Sequence, residues 1–248
     1  MEIKDIKDPK AKKYCLLVLN LLKKEFKGKI YSVILFGSHA RNQATKYSDV
    51  DLLILLNDSI NFKSTKKKLS SYMIYLDQVI LNETEKLSNN LLKQVLFAVK
   101  YKTGMFKSFF ISSVTDFSSL NFSRTFDLNL LLSRILAPGN DIFYNIKRDG
   151  VILYGNKEIL NHINVKSRNK VNIIRGFLMN MTISICALIL RPIESDMKFY
   201  SYEALKWSLL QVSSNVKIAR IISDKQINHP LYSLLVLVSI VKIYMKLK

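Results

Sequence analysis

The stretch VILFGSHARNQATKYSDVDLLILL, residues 33 to 56, limits what this chain can fold into more than any other segment. Two apolar runs, YSVILFG and VDLLILL, read as buried β-strands joined by a polar arc. Gly37-Ser38 ends the first run, while Asp49 and Asp51 stand at the mouth of the second. A strand that ends in Gly-Ser and opens a helix leaves backbone N–H groups free for phosphate oxygens. Gly37 lets the backbone approach a ligand, and Ser38 adds a hydroxyl donor. Asp49 and Asp51 are two apart, so on a strand they share one face while Val50 points to the other. Neighbouring carboxylates repel unless a cation joins them, and Mg²⁺, held by one or two carboxylates plus substrate phosphates, is the natural candidate. The strand then holds both acids rigidly beside a bound triphosphate, where a metal orients the polyphosphate and lowers the pKa of an attacking hydroxyl.

Around this stretch, Tyr14, Leu17, Val18, Leu21 and Leu22 mark one face of a first helix that ends near Gly28. Residues 63–75 and 83–102 read as helical, whereas IYLDQVIL between them has strand content. KSFFISSV reads as a strand, and residues 127–136 as a helix stopped by Ala-Pro-Gly-Asn. Asp149-Gly150 turns the chain into another apolar strand, VILYG. From about Lys157 onward, long apolar periodic segments without strand signals predict a helical bundle, with Ser201 as the N-cap of one of its helices.

The formal charge of +19, from 38 Lys and Arg against 19 Asp and Glu, attracts polyanions such as nucleotides, RNA or anionic lipid, and makes RNA or an acidic protein a candidate partner. Cys15 and Cys186 lie in apolar stretches without metal-ligand spacing and read as buried, reduced thiols. The N-terminal residues carry charges where a signal peptide needs its apolar core. The apolar stretches 177–190 and 231–241 are shorter than the roughly 20 residues of a bilayer span. A cytoplasmic protein with no membrane span is expected.

The motifs Gly37-Ser38-His39-Ala40-Arg41 and Ser48-Asp49-Val50-Asp51-Leu52 resemble the nucleotidyltransferase superfamily that includes DNA polymerase beta, in particular its small bacterial and archaeal members. Gly150-Val151-Ile152-Leu153-Tyr154 is similar to a segment near the end of their catalytic domain. The resemblance covers roughly residues 14 to 155. It implies that Gly37 and Ser38 hold the triphosphate of ATP or another NTP, that Asp49 and Asp51 bind Mg²⁺, and that a nucleoside monophosphate is transferred with release of pyrophosphate. Two departures stand out. Asn42 occupies a position where many relatives carry glycine. Active relatives also place a third acidic residue on a following strand, and KSFFISSV offers none; Asp77, Asp116 and Asp127 are the candidates.

The expected architecture is α+β: a nucleotidyltransferase core with a mixed β-sheet flanked by helices over residues 1–156, then a C-terminal helical bundle over 157–248. The expected activity is Mg²⁺-dependent transfer of a nucleoside monophosphate, AMP first, to a hydroxyl on RNA, protein or a small molecule. The alternatives are a catalytically degenerate nucleotide- or RNA-binding module of the same fold, or an antitoxin-type protein that modifies its partner. Arg41 and Lys46 flank the pocket as nucleotide-steering candidates, with solvated surface charge as the rival reading. His39 reads as incidental. Tyr202, Lys206 and Trp207 are candidates for an acceptor pocket, with core packing the commoner role of such a tryptophan. Arg220 and His229 are too far apart for the Arg-x4-6-His pattern of the nuclease domains that accompany small relatives.

Overall fold

The computed structural model describes residues 3–44, 48–81, 108–128, 139–165, 175–182, 184, 185, 201 and 204. The chain divides into two compact units, Met1–Ser133 with Gly139–Ser167, and Arg134–Pro138 with Arg168–Lys248.

In the first unit, α1 (Pro9–Glu25) starts where the Asp8 carboxylate accepts the N–H groups of Lys10 and Ala11 at 2.7 and 3.2 Å, with proline at the first helical position. Its buried face is Ala11, Tyr14, Cys15, Val18, Leu19 and Leu22, so Cys15 is buried as its apolar surroundings predict, and Leu19 lies inside while Leu17 and Leu21 are only half-buried. A turn through Gly28 leads to β1 (Ile30–Phe36), the single-turn α2 (Gly37–Ala40) and β2 (Asp51–Leu56). The helix α3 (Phe62–Leu76) then continues into a π-helical turn over Asp77–Leu81. β3 (Phe109–Ser113), α4 (Val114–Ser118) and α5 (Phe122–Thr125) follow, then α6 (Gly139–Asp149), β4 (Val151–Gly155) and α7 (Ile159–His162).

The strands form one mixed sheet in the order β3-β2-β1-β4. β1 pairs antiparallel with β2 and β4, while β2 and β3 are parallel. Alternation along the strands sorts the core into two layers. Val33, Leu35, Leu52, Ile54 and Leu56 pack against α1 and, through Leu69 and Met73, against α3. Ile34, Leu53 and Leu55 face Phe117, Phe126, Phe143 and Ile146 on the opposite side. Each such apolar side chain contributes about 1.5–3 kcal/mol by leaving water. The second layer is aromatic: ring centroids of Phe110 and Phe126 lie 5.0 Å apart, and those of Phe117 and Phe143 5.7 Å.

Three expectations need correction. IYLDQVIL is not a strand; it is the end of α3 and the π-helical turn. Asp127 is not helical, since its φ of 55° places it in the left-handed region after α5. The glycine of Ala-Pro-Gly-Asn, expected only as part of a stop, begins α6, which buries Phe143 and Ile146. Residues 83–102 and 129–136 lie outside the described residues.

The described part of the second unit is helical at 175–182, 184, 185, 201 and 204. The buried Ser184 hydroxyl donates to the Ser201 carbonyl at 3.0 Å and lies 2.8 Å from the Ser201 hydroxyl. Ser201 is itself within a helix, where a cap was expected. The remainder of the predicted bundle, with Cys186, Tyr202, Lys206, Trp207, Arg220 and His229, lies outside the described residues. Among the described residues, no helix is long and apolar enough to cross a membrane. Cys15 is a free thiol, fully buried, and burial pushes its pKa up to about 12, which leaves it unreactive.

Candidate active site

The ladder between β1 and β2 ends on the pair Phe36 and Asp51. The Gly-Ser corner and the first strand residue of the Asp-x-Asp motif therefore meet at one end of the sheet. Gly37 turns with φ 73°, and a Cβ built on it would stand 1.9 Å from Asp51 Oδ2. Glycine is required twice over, by the left-handed backbone and by the carboxylate lying against it. Val50 is buried with Leu52 in the first core layer, so Asp51 belongs to the opposite face with Leu53 and Leu55. Asp49 precedes the strand, two residues before its first paired position.

α2 is only four residues long, too short for a sizeable macrodipole. What it can offer an anion is the unpaired first N–H groups of any helix and the Ser38 hydroxyl. The arc after it is shaped locally: Gln43 N–H donates to the Ser38 carbonyl at 2.9 Å, and Asn42 N–H to the His39 carbonyl at 3.2 Å. Asn42 takes φ 53°, the conformation in which a glycine costs nothing and asparagine is the next best residue. Lys46 lies outside the described residues.

Arg41 caps α2 with its guanidinium largely covered, Nη1 3.7 Å from Asp149 Oδ2. Asp149 is at this end of the sheet because Leu35 pairs with Val151, which puts the last residue of α6 beside the Gly37 corner. Arg148 grips the same carboxylate with two hydrogen bonds of 2.6 Å. Burial lowers the Arg41 pKa, while Asp149 and Asp51 both pull it upward. The guanidinium thus sits in the field of two carboxylates and stays charged. Asp149, which the sequence showed only as half of an Asp-Gly turn, is a residue that sequence reasoning missed.

The three candidates for a third carboxylate separate by topology. β3 runs parallel to β2, with Ser113 beside Leu56, so Asp116 in α4 lies at the far end of the sheet from Asp51. There it caps α4 with Ser113 and pairs with Arg124 at 3.5 Å. Asp127 pairs at 2.5 Å with Lys66, in the early part of α3 and so at that far end too. Asp77 is different. α3 leaves the far end of β2 and returns about 22 Å along the sheet, which brings Asp77 back to the end that carries Asp51.

The Asp77 carboxyl accepts the Tyr14 hydroxyl and is hydrogen bonded to Ser108. Ser108 is fully buried, its carbonyl accepts Leu52 N–H at 2.9 Å, and it precedes the Leu52 partner Phe109, which places it beside Asp51. Asp77 therefore lies at the same end of the sheet as Asp51, but with Tyr14 in the layer of α1 and α3, on the face opposite the one Asp51 joins. Burial raises its pKa from 3.8 to about 7 against the opposing pull of both hydroxyls. With the folded value above the unfolded one, the native state holds the extra proton, so this group's stabilisation is complete below pH 3.8 and is lost as pH rises through about 7. Asp77→Asn keeps an acceptor for Tyr14 and cannot ionise. We expect it to gain stability over the wild type between pH 4 and pH 8, by up to about 4 kcal/mol, in paired urea titrations.

No three His, Cys, Asp or Glu side chains cluster as metal ligands among the described residues. The donors at the corner are carboxylate oxygens, which suit a hard cation that keeps waters and substrate phosphates as its other ligands.

A family model described as a nucleotidyltransferase domain matches residues 17–111. The chain is 34% identical over 73 residues, 29% of its length and 71% of the relative's, to a putative protein adenylyltransferase of Methanocaldococcus jannaschii. In fold it is similar to the spectinomycin adenyltransferase of Enterococcus faecialis, solved with ATP and spectinomycin. That likeness has a TM-score of 0.50 and 14% identity, over 92% of this chain and 88% of the other.

Proposed function

This chain belongs to the nucleotidyltransferase family, and from that premise we propose that it moves AMP from ATP to a hydroxyl group with the help of Mg²⁺. The observation that carries the reading is the Asp51 carboxylate lying against Gly37, since it joins a candidate metal ligand to the candidate phosphate corner. The relative's name supports AMP as the group moved and a protein side chain as acceptor. The charge of +19 favours an acceptor that is acidic, whether RNA or protein, and repels a cationic drug.

In this reading Asp49 and Asp51 hold Mg²⁺, and Gly37 and Ser38 hold the triphosphate. Bound Mg²⁺ neutralises charge on the phosphates and lowers the pKa of a hydroxyl brought to it. Arg41, fixed by Asp149, presents its positive charge beside the same corner. The acceptor oxygen forms a bond to the α-phosphorus, the bond to the bridging oxygen of pyrophosphate breaks, and the hydroxyl proton passes to water. The residue just before β3, on the side of Asp51, is Ser108, which carries no charge, and this favours a second reading: a module that binds nucleotide and does not transfer it.

The test uses ATP labelled at the α- or the γ-phosphate, with Mg²⁺ and a cell extract. Label should pass from the α position only, with pyrophosphate released and all transfer lost in EDTA. Labelling from the γ position would reject nucleotidyl transfer, and binding without pyrophosphate release would support the second reading.

A further inference from the structure

The β1–β2 ladder secures Asp51 through its pairing with Phe36 but stops there, leaving Asp49 two residues outside it. Val50 between them is anchored by burial. On the other side of Asp49, the Ser48 carbonyl lies 3.3 Å from Nε2 of His39. His39 is 3% exposed, and its neighbour Ala40 is packed into the first core layer, so the imidazole is held by its surroundings. One side chain thus crosses from the residue after Ser38 to the residue before Asp49. It ties the phosphate corner to the approach of the carboxylate strand across the whole arc. No local pattern signals this contact, because a histidine between Ser38 and Ala40 reads as incidental.

We propose that His39 is a positioning residue that fixes Asp49 for metal binding by donating its Nε2 proton to the Ser48 carbonyl. The inference rests on the reading of Asp49 and Asp51 as the Mg²⁺ ligands. His39 touches neither metal nor nucleotide in this scheme; it acts through one backbone carbonyl. Losing a single neutral hydrogen bond of this kind should weaken metal binding about three- to tenfold, with the nucleotide corner intact.

The full-length protein is loaded with a non-hydrolysable α,β-methylene ATP analogue, and Mn²⁺ affinity is read from the electron paramagnetic resonance signal of the free ion. Binding of the analogue without metal is measured in parallel. His39→Leu fills the space without a donor and should bind Mn²⁺ about three- to tenfold more weakly, with metal-free analogue binding unchanged. His39→Gln, whose amide nitrogen sits at the reach of Nε2, should restore the wild-type affinity. His39→Asn, one methylene shorter, should resemble leucine, and it carries the test if the leucine variant does not fold. In the transfer assay, the Mg²⁺ concentration for half-maximal rate should rise by the same factor, while kcat at saturating Mg²⁺ stays near wild type.

Wild-type Mn²⁺ affinity in both His39→Leu and His39→Asn overturns the proposal, as does an equal loss of metal-free analogue binding. An Asp51→Asn protein that binds Mn²⁺ as well as the wild type would instead reject the carboxylates as ligands. The two failures are thereby distinguishable.

Discussion

Asp51→Asn is expected to reduce nucleotidyl transfer at least a hundred- to a thousandfold without unfolding the protein. The substitution keeps the shape of the side chain. It also spares the backbone pairing of residue 51 with Phe36, which is what holds this end of β2 in the ladder. What it removes is one negative charge directly over the Gly37 corner. Arg41 loses one of the two carboxylates that raise its pKa, but it keeps Asp149 at 3.7 Å, so its position should survive. The loss should therefore appear in kcat and in metal binding, with little change in the urea midpoint. Transfer by Asp51→Asn within about threefold of the wild type would remove this aspartate from the chemistry.

Gly37→Ala should be nearly as damaging to transfer and should also destabilise the fold by about 1–3 kcal/mol. Two effects combine in it. The backbone at φ 73° is unfavourable for any residue with a Cβ, and the new methyl would lie 1.9 Å from Asp51 Oδ2. One of the two groups must move by more than an ångström, and a displacement of that size at a reacting centre costs about a hundredfold in rate. Gly28 provides the control. Its φ is 74°, almost the same, yet a Cβ there meets nothing within 4 Å. Gly28→Ala should lower the urea midpoint through backbone strain alone and leave transfer untouched. Equal activities for the two alanine variants would show that the contact between Asp51 and the corner is irrelevant to catalysis.

How much of this was legible in the chain differs from residue to residue. The strands around 33–36 and 51–56 were readable because a continuous apolar run, broken by Gly-Ser and by acids at its mouth, has few other ways to fold. Asp77 was harder. Ile, Tyr and Val around it have strand preferences, but the segment closes α3 instead, and a buried hydroxyl from Tyr14, far away in sequence, accounts for where the carboxyl sits. Asp127 sits in a helical-looking run and turns left-handed at its ion pair with Lys66. The helix Gly139–Asp149 was hidden behind a Pro-Gly pair that serves as a boundary from either side.

The sequence by itself determined the local chemistry: a glycine corner, a hydroxyl, and two carboxylates separated by one residue at the mouth of an apolar run. Periodicity and short motifs are properties of neighbouring residues, so no fold was needed to see them. The tertiary structure decided which distant residues join that corner. It brought Asp149 to Arg41, set Ser108 beside Asp51 with Asp77 behind it, and turned His39 inward onto Ser48. Those meetings depend on strand order, on the register of a parallel pair and on the length of one returning helix. Such long-range pairings leave no periodic trace in a single sequence.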